Sequence, residues 1–289
     1  MPDQSPASTE LPARPAAPSI SIVIAVLNGA ATLGRCLESI FEQTYPNLDV
    51  IVTDGGSTDG TVTILESAGS RIHYWDSQED TGIYQAWNRA LEHAKGEWLL
   101  FLGADDWLMG SDVIDKVVGA LVAAEGRFRL VYAAVDVVTE DGAIDHSIGR
   151  PWATARQEIR RGMAIPHSAT FHHRSLFTRC GGFDESFRIA GDYEFVLREL
   201  PEHDALFVPE LVLVAKGARG VSDRPETRVL MVRENHRAKR LHGLTRTPEW
   251  LALIIIRTRF RGWLLRRFGP EVETSVTTAY RAAMRRRQD

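Results

Sequence analysis

Thr53-Asp54-Gly55-Gly56-Ser57-Thr58-Asp59-Gly60 and Leu102-Gly103-Ala104-Asp105-Asp106 each follow an apolar run that reads as a buried strand. In an open α/β sheet, ligands bind beyond the carboxyl ends of the strands, so acids placed there face a ligand. Two carboxylate-rich loops would repel a bare diphosphate. They suit a nucleotide if one acid meets the base or ribose while another holds a divalent cation on the phosphates. A solvated turn is also rich in Asp, Gly and Ser. Two such loops in register, each after a strand, favour a site.

The flanking sequence supplies the sheet. Residues 19–27 (SISIVIAVL) form a short β-branched run of the kind buried on both faces of a parallel sheet. Leu33, Cys36, Leu37, Ile40 and Phe41 then follow helical spacing, stopped by Tyr45-Pro46-Asn47. Residues 48–53 read as a second strand, and Ser57, Thr58 or Asp59 can cap a helix running to about Ser67. A third strand is expected at 72–75 and a fourth at 97–102. Between them a helix spans 83–94, with Ile83, Trp87, Ala90, Leu91 and Ala94 on one face and Gly96 as its stop. Trp87 belongs to that core stripe, while Tyr84 offers a polar contact one turn before Asn88. Strict alternation of strand and helix implies parallel strands with right-handed crossovers. After a helix at 113–123 the pattern changes. Residues 130–138 and 143–148 flank a hairpin turn at 139–142. Short strands at 168–172, 205–208 and 211–215 and a helix at 193–200 complete the same α/β domain.

Composition places this domain between two different ends. Of 289 residues, 44% are hydrophobic, ample for a core. Cys36 and Cys180 are far apart, so neither a disulfide framework nor metal spacing is visible, and a reducing cytoplasm fits. Pro2, Pro6, Pro12, Pro15 and Pro18 lie among small residues without the apolar core of a signal peptide, so 1–18 reads as disordered. Residues 224–289 hold 16 Lys/Arg against 6 Asp/Glu, leaving 18 against 32 in 1–223. The domain at 19–223 is therefore acidic, and a basic helical C-terminal extension at 224–289 needs an acidic partner or surface.

Five motifs occur in order: Val26-Leu27-Asn28, Asp54 to Thr61 (DGGSTDGT), Asp105-Asp106, Gly181-Gly182-Phe183-Asp184 and Gly191-Asp192-Tyr193-Glu194. So arranged, the chain resembles a family 2 inverting glycosyltransferase of the GT-A fold. The segment at 77–89 (SQEDTGIYQAWNR) is similar to the subgroup that builds bacterial exopolysaccharides of the colanic-acid type. The resemblance covers 19–222 and implies a GT-A-like mixed, mainly parallel sheet flanked by helices. It also implies a nucleotide-sugar donor, a divalent cation (Mg²⁺ or Mn²⁺) and a glycan or polyprenyl-diphosphate-linked acceptor. Residue by residue, Asp54 would contact the base, and main-chain groups near Ala25 and Asn28 would line its pocket. Glu79 and Asp80 would sit near the ribose or the switch point of the sheet. Asp105 and Asp106 match the end of an Asp-x-Asp metal motif, Asp105 as the metal ligand and Asp106 beside the substrate. Gly103 departs from the pattern by standing where a first Asp or Asn is common. Asp192 matches the catalytic base, although read alone it opens a helix and suits an N-cap. His167, before a strand, reads either as an acceptor contact or extra metal ligand, or as a hydrogen-bonded structural residue. His172 and His173 read as structural.

Two rivals share parts of this pattern. A sugar-phosphate nucleotidyltransferase also uses an α/β sheet and Mg²⁺, but its first loop should be Gly-rich and basic, whereas 27–32 has no basic residue before Arg35. A non-catalytic nucleotide-sugar binding module is suggested by Gly103. In the tail, 250–256 is apolar, then Arg257, Arg259 and Arg261 interrupt the run before Trp263-Leu264-Leu265-Arg266-Arg267-Phe268. That run is far below the ~20 residues needed to span a bilayer. Interleaved Arg, Trp, Leu and Phe suit a helix lying on an anionic membrane, which places the protein in the cytoplasm on the inner face of the plasma membrane. Packing on the domain or a homodimer contact are the alternatives. Nucleic acid is not expected beside so acidic a domain.

Overall fold

The structure is a computed structural model that describes residues 17–139, 141–217 and 225–244 together with Trp263 and Arg267. The expected disordered segment falls outside the described residues except at Ala17 and Pro18. The proposed membrane helix also falls outside them, apart from Trp263 and Arg267. Among the described residues no helix is long and apolar enough to cross a membrane.

The first half alternates as the apolar periods require. Strand β1 (Ile20–Val26), helix α1 (Leu33–Phe41), β2 (Leu48–Asp54), α2 (Thr61–Ala68), β3 (Tyr74–Ser77), α3 (Ile83–Leu91) and β4 (Trp98–Gly103) follow one another. Then come β5 (Asp106–Leu108), α4 (Val113–Ala124), β6 (Leu130–Val138), β7 (Ile144–Ile148), α5 (Trp152–Glu158), β8 (Thr170–His173), α6 (Ser175–Cys180), α7 (Gly191–Leu197), β9 (Leu206–Gly217) and α8 (Pro225–Leu241). They build one sheet in the order β3-β2-β1-β4-β8-β6-β9-β5, with β7 hairpinned on β6. β1, β2, β3, β4, β6 and β9 share one direction, while β5, β7 and β8 run against it. The sheet is mixed and mostly parallel in direction.

Alternation along β1 divides the core into two layers. Ile20, Ile22 and Ile24 pack with Leu33, Leu37, Leu65, Val117 and Leu121 of α1, α2 and α4. Val23 faces the other way, with Trp87, Phe101, Tyr132, Tyr193 and Phe195. Each aliphatic side chain so buried contributes about 1.5–3 kcal/mol relative to exposure.

Several expectations need correction. Neither Ser57, Thr58 nor Asp59 is the N-cap of α2: Gly60 is, with Asp59 Oδ1 accepting the Thr61 N–H at 3.1 Å from one position earlier. The third strand starts at Tyr74 rather than Ile72, because Gly69–Arg71 closes a 3₁₀ turn first. The two short strands near the end of the domain are one, β9. Pro209 and Glu210 (φ 64°) interrupt its register with β6 without ending it. Helix α7 starts at Gly191 with Ala190 as N-cap, so Asp192 lies inside its first turn and does not cap it. Elements β5, α5 and α6 are too short to leave a periodic signal.

Candidate active site

Strand register builds the rim of the site. Ala25 pairs with Thr53 and Gly103, Val26 with Asp54, and Asp54 with Ser77, so four parallel strand ends lie side by side. Asp54 is fully buried. Its carboxylate accepts the N–H groups of Gly56 (3.1 Å) and Ser57 (2.9 Å) and the hydroxyls of Ser57 and Ser77 (the latter at 2.6 Å). An ionised carboxylate offers about four lone-pair sites, so these donors satisfy it and Asp54 shapes the loop behind it. That loop pins the exit of β1. Asn28 N–H donates to Ser57 Oγ (2.6 Å), Gly29 N–H to Thr61 Oγ1 (2.9 Å) and Ala30 N–H to Asp59 Oδ2 (3.0 Å), while Thr58 N–H donates to Asn28 Oδ1 (3.0 Å). The N–H groups that a triphosphate-cradling loop would present are thus taken by side chains, against the nucleotidyltransferase alternative.

Beyond β3, Glu79 is exposed and Asp80 half-buried. Partial burial raises the Asp80 pKa above the ordinary carboxylate range, opposed by the Gly82 N–H it accepts at 3.0 Å and by Arg89. Arg89 of α3 was not singled out by sequence, yet it ties the rim together. It donates to Asp76 at 3.0 Å and to the Asp54 carbonyl at 3.2 Å.

Next to this rim lies a cavity of about 720 Å³ whose lining includes Asp105, Asp106, His167, Asp192 and Lys216. Ala25, Asn28, Asp54, Glu79 and Asp80 are not in that lining. Asp105 is exposed, while Asp106 is nearly buried on β5, paired in register with Lys216 of β9. Burial, followed by the neighbouring Asp105 charge, pushes the Asp106 pKa up to about 7, with Lys216 pulling the other way. Gly103 makes this arrangement possible. A Cβ there would lie 2.9 Å from both Asp105 Oδ1 and Asp106 Oδ2, so both carboxylates occupy the space a larger residue would need.

That geometry fits a divalent cation held jointly with a substrate. Two carboxylates converge on one space, and their mutual repulsion and burial are what a cation relieves. Among the described residues no group of three or more His, Cys, Asp and Glu is arranged to hold a metal. The protein would then supply one or two oxygens to such an ion, and phosphate oxygens and waters would complete the shell, as Mg²⁺ prefers.

In the lining of the same cavity, Asp192 takes two hydrogen bonds on Oδ1, from Tyr84 Oη at 3.2 Å and from the Tyr193 N–H at 2.8 Å. Oδ2 takes neither. Gly191 allows the approach, since a Cβ there would lie 2.8 Å from the Tyr84 ring. Burial pushes the Asp192 pKa up to about 6, with the Tyr193 N–H and Tyr84 opposing. A carboxylate poised there is a competent general base near neutral pH. Tyr84, weakly marked in the sequence, proves to be its neighbour.

His167 sits in a 3₁₀ turn before β8, stacked on Trp87 at 5.0 Å and tilted against His172 at 5.0 Å. Its Nε2 is enclosed without a partner, and burial pulls its pKa down to about 3, so the ring is neutral. Trp87 is buried among Phe101, Phe183 and His167, as its stripe predicts. His172 is fully buried with neither ring nitrogen hydrogen-bonded, and the His173 ring bonds Ser175.

The sequence profile described as "Glycosyl transferase family 2" matches residues 21–185. The chain belongs to this family. Proteins named "PGL/p-HBAD biosynthesis glycosyltransferase" from Mycobacterium bovis and Mycobacterium tuberculosis are 37% identical to it over 189 residues, 63% of this chain and 70% of theirs. Its fold is similar to that of S. aureus TarS 1-349 in complex with UDP-GlcNAc (TM-score 0.60, 16% identity, 83% of this chain and 71% of that one). It is also similar to the mannosyltransferase PcManGT from Pyrobaculum calidifontis in complex with GDP-Man and Mn²⁺ (TM-score 0.58, 18% identity, 92% and 81%). The protein is thus a family 2 glycosyltransferase with a GT-A-like α/β domain.

Proposed function

We propose that this family 2 member is an inverting glycosyltransferase that moves a hexose from a nucleoside-diphosphate sugar to a hydroxyl of a glycan or lipid-linked glycan. The observation that carries the reading is one cavity whose lining holds Asp105, Asp106 and Asp192 together. The acceptor hydroxyl oxygen forms a bond to the anomeric carbon as the carbon–phosphate oxygen bond breaks on the opposite face. Asp192 takes the hydroxyl proton through Oδ2, while Tyr84 and the Tyr193 N–H hold Oδ1. Asp105, with Asp106, would hold a Mg²⁺ or Mn²⁺ ion, which when bound neutralises negative charge on the leaving diphosphate. Asp54 shapes the nucleotide side, with Ala25, Asn28, Glu79 and Asp80 around the base and ribose. His167, neutral and at the cavity wall, meets the acceptor.

The segment at 77–89 supports a role in cell-surface glycan synthesis, in the colanic-acid-type subgroup, and the mycobacterial relatives, named for PGL/p-HBAD biosynthesis, support a biosynthetic glycosyl transfer. The protein would then work in the cytoplasm at the inner face of the plasma membrane. Thermal-shift titration with UDP-, GDP- and dTDP-linked sugars, with and without Mn²⁺, tests the reading, since a ligand of the folded state raises its melting temperature. A Mn²⁺-dependent shift with one donor class, followed by transfer to a glycan acceptor, is expected. Binding without transfer or hydrolysis would favour a non-catalytic module.

A further inference from the structure

The basic extension contributes one buried acid to the site. Helix α8 carries Met231, Glu234, Asn235 and Ala238 at helical spacing on one face. Ala238 is fully buried, and Met231 and Asn235 line the cavity that contains Asp192. Glu234 is nearly buried beside them. Its Oε1 accepts the Arg188 N–H at 2.9 Å, and its Oε2 accepts the Ile189 N–H at 2.8 Å and the Ala190 N–H at 2.9 Å. Three successive main-chain donors converge on a single carboxylate, and the chain enters α7 at the next residue. Arg237, one turn further along α8, holds the same loop from the side. It donates to Ser186 Oγ at 2.6 Å and lies over the Phe187 ring at 4.2 Å.

We infer that Glu234 is a positioning residue for glycosyl transfer: by capping the Arg188–Ala190 main chain it fixes the turn from which Asp192 reaches the acceptor. The inference rests on the reading of Asp192 as the base. N–H groups at a helix entrance need a partner, and α7 has no side-chain cap of its own. Without Glu234 these three donors would lose a charge-assisted acceptor, and the loop would sample orientations that carry Asp192 out of line. Displacement of a reacting group by ~1 Å can cost about 10²-fold in rate. The partners of the Glu234 carboxylate are the Arg188, Ile189 and Ala190 N–H groups and not residues of the proposed donor side at Asp105, Asp106 and the rim of β1–β3, so donor binding should be spared.

The test uses the full-length protein with Glu234→Ala, Glu234→Gln and Asp192→Asn. Amide hydrogen exchange across 186–193 and steady-state kinetics with saturating acceptor are measured on each. In Glu234→Ala, exchange should quicken at 188–190 but not in β1 or β4. Its kcat should fall by between about tenfold and hundredfold, with the donor KM within twofold of wild type. Glu234→Gln keeps one carbonyl acceptor and should fall between the two. Wild-type kcat in Glu234→Ala overturns the inference. So does a parallel loss of kcat and donor affinity with faster exchange throughout the sheet, which would mark a general structural prop. Wild-type turnover in Asp192→Asn would overturn the base assignment instead, and the exchange at 188–190 would still report on the cap.

Discussion

Asp192 is a carboxylate held at a cost. Its pKa is pushed up to about 6 by burial, against the ordinary 3.8. The folded state therefore binds its proton more tightly than the unfolded chain, and stability falls as pH rises from about 4 through about 6. The penalty is fully present above pH 6 and amounts to about 3 kcal/mol at most, from about two units at 1.36 kcal/mol each. Asp192→Asn keeps an oxygen where Tyr84 and the Tyr193 N–H donate, so the fold should hold. We expect it to melt several degrees above wild type at pH 8 and alike at pH 4, while losing transfer by on the order of 10²-fold or more. Wild-type kcat should fall about tenfold per pH unit below about 6. A flat profile there, or an active Asp192→Asn, would remove Asp192 from the proton transfer. Asp105 is exposed and lines the same cavity. Asp105→Ala should weaken Mn²⁺-dependent binding of a nucleoside diphosphate but leave the free nucleoside's affinity unchanged, as read by calorimetry. Equal losses for both would make Asp105 a base or ribose contact.

Helix α3 joins both halves of the site. Tyr84 meets Asp192, Arg89 meets Asp76 and the Asp54 carbonyl, and Asn88 bridges to the loop before α7. The Asn88 side-chain N–H donates to the Phe183 carbonyl at 2.9 Å, and its Oδ1 accepts the Phe183 N–H at 2.8 Å. Asn88→Ala leaves both main-chain groups of Phe183 unpaired and should destabilise by about 1–3 kcal/mol. Asn88→Asp keeps the acceptor for the Phe183 N–H but sets a carboxylate oxygen against the Phe183 carbonyl and against Glu185 Oε1, to which the amide now donates at 2.9 Å, so it should lose at least as much. Urea melts of the two would decide, and equal stability of both with wild type would mean water replaces the side chain. The apolar stripe of α3 and the strand pattern through β4 were legible in sequence because local periodicity sets them. Asn88, Arg89 and Glu234 were not, since their partners are 13 to 95 residues distant in the chain. Their only sequence signal is a polar residue at helical spacing beside core positions, as Glu234 and Asn235 are between Met231 and Ala238. Asp54 was legible as an acid at the end of β2, but its four donors, the Ser77 hydroxyl of β3 among them, appear only once β2, β3 and the turn are assembled.

At the scale of the molecule, charge separates an acidic catalytic domain from a basic end. Helix α8 is packed on the domain through Glu234, Arg237 and Ala238, so the boundary at 223/224 marks a change of charge and not of packing. The stretch 250–268, which interleaves Arg with Trp, Leu and Phe, follows that anchored helix. We expect the full-length protein to sediment with vesicles containing phosphatidylserine or phosphatidylglycerol at low salt and to be released as salt rises, because headgroup attraction is screened. Replacing Arg257, Arg259 and Arg261 by Glu should abolish binding, since each basic residue near an anionic surface contributes about 1 kcal/mol. The same variant should keep its thermal shift with the nucleotide sugar, since the described lining of the cavity comes from residues 83 to 235. Failure of the wild-type protein to bind anionic vesicles at low salt would assign the apolar stretch to packing on the domain.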